Sequence, residues 1–160
     1  MREIELTRGK VALVDDEDYE NINRHKWNAH FNGFSWYARR GENGKQGGIL
    51  KMHRVIMGVL DPNIKIDHKD GNGLNNQRDN LRIATVSQNG CNKKKTANTS
   101  SKYKGVYWDG VTKKWRVQIQ LDGDVKRLGR FGDEIEAAKA YNEAAIKLHG
   151  EFARLNVIEQ

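Results

Sequence analysis

A chain of 160 residues allows one ordinary domain or two small ones, each with a thin core. Its formal charge of +7 and pI near 9.5 suit a polyanionic partner, and no stretch approaches the apolar run that a bilayer-spanning helix needs. The opening Met1-Arg2-Glu3-Ile4-Glu5 lacks the basic-then-apolar order of a secretion signal, so a soluble cytoplasmic protein is expected. Cys91 is the one cysteine, which excludes an intrachain disulfide and a cysteine-rich zinc site. Between Gly90 and Arg130 lie eleven cations and three anions, so this segment holds the whole excess and the rest of the chain is about neutral. The cations alternate with Tyr103, Tyr107, Trp108 and Trp115, a mixture that favours nucleic acid over a merely solvated basic face.

In chain order, Ile4 to about Arg40 carries short β-favouring pieces, Val11-Ala12-Leu13-Val14 and Phe34-Ser35-Trp36-Tyr37-Ala38, separated by Asp and Asn clusters and Gly33; it reads as a hairpin-rich lead-in. Gly41 to Gly48 is a polar loop. From Leu50 to Leu60, Met52, Val55, Ile56 and Val59 recur at helical spacing and predict a short helix closed by Gly58 or Asp61-Pro62. The strand Ile64-Lys65-Ile66 follows, then a loop from Asp70 to Asn80 made almost wholly of Gly, Asn, Asp and other polar residues. A second strand, Leu81-Arg82-Ile83, leads to Thr85, which with Gln88 fits a capping box opening a helix through Asn89 and Asn92. Strand, polar loop, strand and helix make a ββα unit.

Residues 93 to 101 contain no apolar side chain larger than alanine, so the boundary between modules is placed there: 1–95, a linker at 96–100, and 101–160. Beyond it, Gly105-Val106-Tyr107-Trp108, Trp115 to Leu121 and Lys126 to Phe131 are strand-like and joined by turn-forming Asp-Gly pairs, predicting a three-stranded antiparallel sheet. Asp133 with Glu136 caps an alanine-rich helix ending at Gly150, whose stripe Ala137, Tyr141, Ala144 and Leu148 lies close to that sheet.

The most specific signal is Ile66-Asp67-His68-Lys69-Asp70-Gly71-Asn72, then Asn75 to Arg82, then Ser87-Gln88-Asn89. Phosphodiester hydrolysis needs a proton acceptor, and neutral His68 is one near pH 7. Asp67 is a hard oxygen ligand suited to Mg²⁺ or Mn²⁺, and the amide oxygen of Asn89 would complete the protein's share of that shell. Asn80 would accept a hydrogen bond from the second ring nitrogen of His68 and fix its tautomer. Adjacent residues on a regular strand face opposite ways, so Asp67 and His68 must sit where the strand gives way to the turn. Together with Met52-His53-Arg54 upstream, the stretch from about Met52 to Asn92 resembles the HNH endonuclease family in its phage and intron homing form. The resemblance implies the same four roles, general base, two metal ligands and an orienting amide, on a ββα-metal (His-Me finger) architecture. Asn89 stands where many members have histidine, which favours Mg²⁺ or Mn²⁺ over zinc. A structural or phosphate-contacting role is expected for His53, with Arg54 a further candidate. His25 and His30 read as packing or surface residues, and His149, in a helix's last turn, is not a site residue. Asn72, Asn75 and Asn76 are expected to hold the loop through side-chain to backbone bonds.

Downstream, Ser101 to Val106, Trp115 to Ile119, Leu128 to Phe131, Glu136 to Ala145, Leu148-His149-Gly150 and Ala153 to Asn156 resemble the DNA-binding domain of plant ethylene-response factors, the APETALA-two type. The resemblance implies an α+β module that lays its sheet in the major groove of duplex DNA. Lys104, Gly105, Trp108, Arg116, Arg127 and Arg130 are the candidate contacts there, with Lys93, Lys94 and Lys95 on the phosphates. Tyr107, Gln120 and Arg127 depart from the plant pattern, so the plant target does not carry over. Packing and DNA contact are both open for Trp115, while Trp108 is expected to face the surface. The expected function is a one-metal HNH endonuclease of the homing type, in a bacterial or phage-infected cell and acting as a monomer or homodimer. The rivals are a non-catalytic DNA-binding regulator and a phage defence or packaging nuclease.

Overall fold

Two cores form in this computed structural model, which describes residues 1–42, 48–93, 95 and 99–158, and they belong to two units, Met1–Thr85 and Val86–Gln160. In the first, β1 (Arg2–Glu5) and β2 (Val11–Val14) pair antiparallel so that Ile4, Ala12 and Val14 are buried. The lead-in is not hairpins alone: α1 (Asp16–Asn23) follows Asp15, with three acids in its first turn where the helix dipole favours them. Its only apolar side chains, Tyr19 and Ile22, sit three apart on one face, too thin a stripe to betray the helix in sequence. β3 (Asn28–Phe31), β4 (Trp36–Gly41) and β5 (Ile49–Lys51) form a second sheet in that order. Most of the predicted loop 41–48 lies outside the described residues. Then α2 (Met52–Met57) ends at Gly58, whose φ of 65° makes it the left-handed cap that the sequence offered.

β6 (Lys65–His68) and β7 (Leu81–Ala84) make a two-stranded ladder with Asp67 opposite Arg82 and His68 opposite Leu81. The loop between them is tied to the lead-in. Leu13 N donates to Leu74 O, Asn76 N donates to Leu13 O, and Gln77 and Arg78 donate to the Asp15 carboxylate.

The second unit has β8 (Val106–Asp109), β9 (Lys114–Leu121) and β10 (Asp124–Phe131) in sheet order β10-β9-β8, with α4 (Glu134–His149) packed on one face. Asp133 caps α4 by accepting from the N–H groups of Ile135 and Glu136. Val106, Val117, Ile119, Ala137, Ala138, Tyr141 and Ala145 are its buried centre. Packing divides the chain between Thr85 and Val86, ahead of the linker expected at 96–100. α3 (Val86–Cys91) packs on β9, Asp122 N donates to Ser87 Oγ, and Lys104 Nζ donates to the carbonyls of Cys91 and Lys93 at 2.5 and 2.7 Å. Of the expected linker, 96–98 lie outside the described residues, while Ser100 Oγ accepts from Trp108 N. No helix among the described residues is long and apolar enough to cross a membrane.

Gly105 has φ of 76°, and a Cβ there would overlap the Tyr141 ring and lie 2.7 Å from Gln118 O. Gly105→Ala is expected to cost about 2–4 kcal/mol, the sum of overpacking and a left-handed alanine. Gly110→Ala, with nothing within 4 Å of the added methyl, should cost less than about 1 kcal/mol. Urea midpoints of the two variants test the contrast.

Candidate active site and nucleic-acid face

His68 is the last residue of β6, so it leaves the ladder where the chain turns into Lys69-Asp70. Its Nε2 lies 3.4 Å from Asn76 Oδ1. Asn76 donates its own Nδ2 to Leu74 O and is completely buried, which fixes the amide with its oxygen toward the ring. An acceptor at Nε2 selects the tautomer with the proton there and the basic lone pair on Nδ1. Asn80, expected to orient this ring, does a different job in the structure. Its Oδ1 accepts from Asp70 N at 3.1 Å, and its Nδ2 donates to Asp70 Oδ1 and Asn75 O. It thus closes the loop on which Asn76 sits. Asn72 and Asn75 hold the loop as expected, accepting from Leu74 N and Gln77 N.

Three rings meet beside the strand end. His53, the second residue of α2, stands edge-on to His68 with centroids 5.1 Å apart, and Tyr37 of β4 is 5.8 Å from His68 and 5.9 Å from His53. Burial pushes the His68 pKa below that of a free imidazole, against the upward pull of Asn76, Asp70 and Asp67. Burial, reinforced by His68, Lys51 and Arg54, brings His53 down to about 3. Both rings are therefore neutral at pH 7. His53 Nδ1 is buried with no hydrogen-bond partner among the described residues. Tyr37 had no signal in sequence, because only the β4 register brings it here.

Asp67 pairs across the ladder with Arg82, whose Nε and a terminal nitrogen donate to Oδ2 at 3.0 and 2.8 Å. The side chains are only 10% (Arg82) and 6% (Asp67) exposed, so this ion pair is a structural element as well as a candidate metal position. Arg54 is fully committed to structure: it donates to the carbonyls of Val59, Asp61 and Ile64 and fixes the path from α2 to β6. Burial works against the Asp70 carboxylate, but N–H groups of Asn72, Asn75 and Asn80 together outweigh it and hold its pKa below the usual range. Asn89 lies on α3, in the second unit. Among the described residues no group of three or more His, Cys, Asp and Glu side chains is gathered in a way that could hold a metal ion.

In the second unit, cross-strand pairing sorts the candidates by face. Tyr107, Arg116 and Arg130 are aligned across the three strands, and Arg127 is opposite Gln118; all lie on the face away from α4. Arg127 and Arg130 are three apart and would point to opposite faces of a regular strand. A bulge between Arg127 and Gly129 turns Leu128 toward the core and restores both arginines to one side. Arg130 bonds Asp109, and the Arg116 guanidinium lies 5.8 Å from the Tyr107 ring centroid. Trp108 is 45% exposed but pairs with Trp115 on the helix side, with ring centroids 5.0 Å apart, so it is surface-facing on the side opposite the arginines. Lys104 is turned inward onto the Cys91 and Lys93 carbonyls, and burial brings its pKa down to about 8. Gly105 is explained by its contact with Tyr141. Lys93 is exposed, Lys95 is half-buried, and Lys94 lies outside the described residues.

A carboxylate and a histidine at the end of one strand, an asparagine-rich loop ending at Asn80, and a return strand opening Leu-Arg form the ordered set of an HNH endonuclease, and a family model of that description matches residues 51–91. The chain belongs to the HNH endonuclease family. It is 32% identical over 157 residues to an uncharacterized HNH endonuclease of Acanthamoeba polyphaga mimivirus, covering 95% of this chain and 78% of that protein. It is also 34% identical over 105 residues to protein 3.8 of Escherichia phage T7, covering 66% of this chain and 86% of that one. A second family model, AP2 domain, matches residues 101–151, where the sheet and α4 lie. No solved structure matches the chain.

Asp67→Ala should destabilise the protein by about 1.5–3 kcal/mol, because it removes the buried carboxylate that accepts two charged hydrogen bonds from Arg82. Denaturant titration of Asp67→Ala beside the double variant Asp67→Ala/Arg82→Met, in which stability recovers, checks this. A second expectation concerns acid. The unfolded chain takes a proton on His53 near pH 6.5 while the folded chain resists to about 3, so this contribution is complete above 6.5 and is lost as pH falls. One such proton gives a stability slope of up to about 1.4 kcal/mol per pH unit. Between pH 6.5 and 5, wild type should lose stability more steeply than His53→Gln.

Proposed function

We propose that this chain is a DNA endonuclease that hydrolyses phosphodiester bonds of duplex DNA, with His68 as the general base. The observation that carries the reading is the neutral His68 ring at the end of β6, held at Nε2 by Asn76 and set next in sequence to the buried carboxylate of Asp67. HNH nucleases generally use a divalent metal ion. Asp67 and Asn89 are the residues that would hold one, and two oxygen donors without a cysteine or histidine cage suit Mg²⁺ or Mn²⁺. Such an ion, when bound, supplies positive charge against the phosphate and the departing 3′ oxygen. His68 Nδ1 takes a proton from water, the water oxygen bonds to phosphorus, and the bond to the 3′ oxygen breaks. The products are a 5′-phosphate and a 3′-hydroxyl, the latter protonated from solvent. Asn76 keeps His68 in the basic tautomer, and Asn80 keeps the loop closed beneath it.

We assign residues 1–95 to cutting and 101–160 to holding the duplex, with the sheet face of Arg116, Arg127 and Arg130 toward the groove and Lys93, Lys94 and Lys95 on phosphates. Its resemblance to phage and intron enzymes supports a homing role.

Supercoiled plasmid with Mg²⁺ tests the activity. His68→Ala should cut about 100- to 10,000-fold more slowly, the worth of a general base, with DNA affinity within a few-fold of wild type. Asn89→Ala should raise the metal concentration needed for half-maximal cutting. Equal cutting rates for His68→Ala and wild type would overturn the mechanism. On the sheet, Arg116→Ala should weaken binding by about 1–3 kcal/mol and relax preference at one base position, seen in competition binding against several duplexes.

A further inference from the structure

The hairpin joining β3 and β4 ends in an apolar tip that the catalytic reading leaves unused. Phe34 is 90% exposed and Phe31 46%, and the Phe31 and Trp36 rings pack with centroids 5.3 Å apart. Two cations lie over the same indole: Lys10 Nζ is 5.3 Å and the Arg8 guanidinium 5.8 Å from its centroid. Arg8 has a φ of 64°, a conformation that costs a non-glycine residue energy and here accompanies a side chain directed to Trp36. The tip is rigidly made, since Asn32 Oδ1 accepts from both Phe34 N and Ser35 N, and Asn32 N donates to Ser35 O. It is also joined to the catalytic loop. Gly73 N donates to Ser35 Oγ at 3.3 Å, and a Cβ on Gly73 would overlap Trp36 O and lie 2.6 Å from the Tyr37 ring.

Phe34 is three residues from Tyr37, and Tyr37 touches His68. A fully extended chain rises about 3.4 Å per residue, so the tip begins within about 10 Å of Tyr37, no more than three stacked base pairs. One duplex presenting a phosphate to His68 would therefore also meet the tip. The occupant is set by chemistry: apolar rings alone would suit a protein, but rings carrying cations beside a phosphate-cleaving site suit bases flanked by phosphates.

We propose that the β3–β4 tip is a DNA wedge, in which Phe34 stacks against or between bases beside the cut site while Arg8 and Lys10 meet the adjoining phosphates. The proposal rests on the endonuclease reading above, and its test is separable from that reading. Full-length protein is mixed in EDTA, so that nothing is cut, with duplexes carrying 2-aminopurine at successive positions. Wild type should raise fluorescence at one step. Phe34→Ala should lose that signal and bind about 10-fold more weakly, within the range of one lost base–aromatic stack, with the salt slope unchanged. Phe34→Trp should retain the signal. Lys10→Ala should instead flatten the salt slope by about one unit. Since Phe34 contributes nothing to the core, an unchanged melting temperature identifies Phe34→Ala as folded. If Phe34→Ala matches wild type in fluorescence and affinity, or changes only sedimentation behaviour as a self-association surface would, the wedge is overturned while the nuclease stands. If wild type binds no duplex at low salt, both are overturned.

Discussion

A loop as polar as residues 70–80, in which Leu74 is the one apolar side chain packed on the core, takes its shape chiefly from hydrogen bonds, so the chemistry of this protein depends on how that loop is tied down. The ties come from far away in sequence. Backbone groups of Leu13 bond Leu74 and Asn76, and the Asp15 carboxylate takes Gln77 Nε2 and Arg78 N, which lowers the Asp15 pKa. The Arg78 guanidinium then forks onto Asp18 of α1. A carboxylate that accepts such bonds is stabilised in its charged form, and a backbone N–H that donates them is spared the cost of burial without a partner. Asn76 inherits its position from this anchorage, and His68 inherits its tautomer from Asn76. What looks in sequence like a lead-in is the scaffold of the site.

Burial then sets the electrostatic state. Desolvation keeps His53 and His68 neutral, whereas Asp67 is accompanied into the interior by Arg82. The site therefore contains one compensated charge pair and two uncharged bases, an arrangement in which a proton acceptor can exist near neutral pH without repelling or being quenched by its neighbours. Tyr37 contributes the third ring, and burial and the nearby Asp67 charge both raise its pKa, so its hydroxyl stays protonated.

Much of this was legible in the residues. The two strands around the polar loop follow from spacing, as do the capped α4 and the Asp-Gly turns of the second sheet, because each is a local preference or a hydrophobic period, while Asp67 and His68 stand out through the motif that resembles HNH endonucleases. What escaped has a common cause. Asn76 and Asn80 carry the same amide in the same loop, and only tertiary geometry decides that one meets the ring and the other closes the turn. Lys104 sits in a basic run and reads as a DNA contact of the sheet module, yet the carbonyls of Cys91 and Lys93 offer its ammonium a partner inside the fold. The two units share a sequence match that reaches residue 91, but α3 packs with the second, a fact set by side-chain fit and invisible to periodicity.

The bulge in β10 has an evolutionary consequence. Deleting Leu128 would remove only the extra residue of the bulge: Arg127 would stay opposite Gln118, Gly129 opposite Val117 and Arg130 opposite Arg116, so both arginines would keep the outward face and the core would lose one leucine. A point substitution at Arg127 or Arg130 changes only the outward face and leaves the packed side untouched. Descendants of this chain can thus alter the chemistry they show to a partner one letter at a time, and can lose the bulge residue itself without turning either arginine inward. Variation in this lineage should accordingly appear as changed side chains on a fixed frame, with gaps confined to the bulge at Leu128 and the turns at Asp109-Gly110 and Asp122-Gly123.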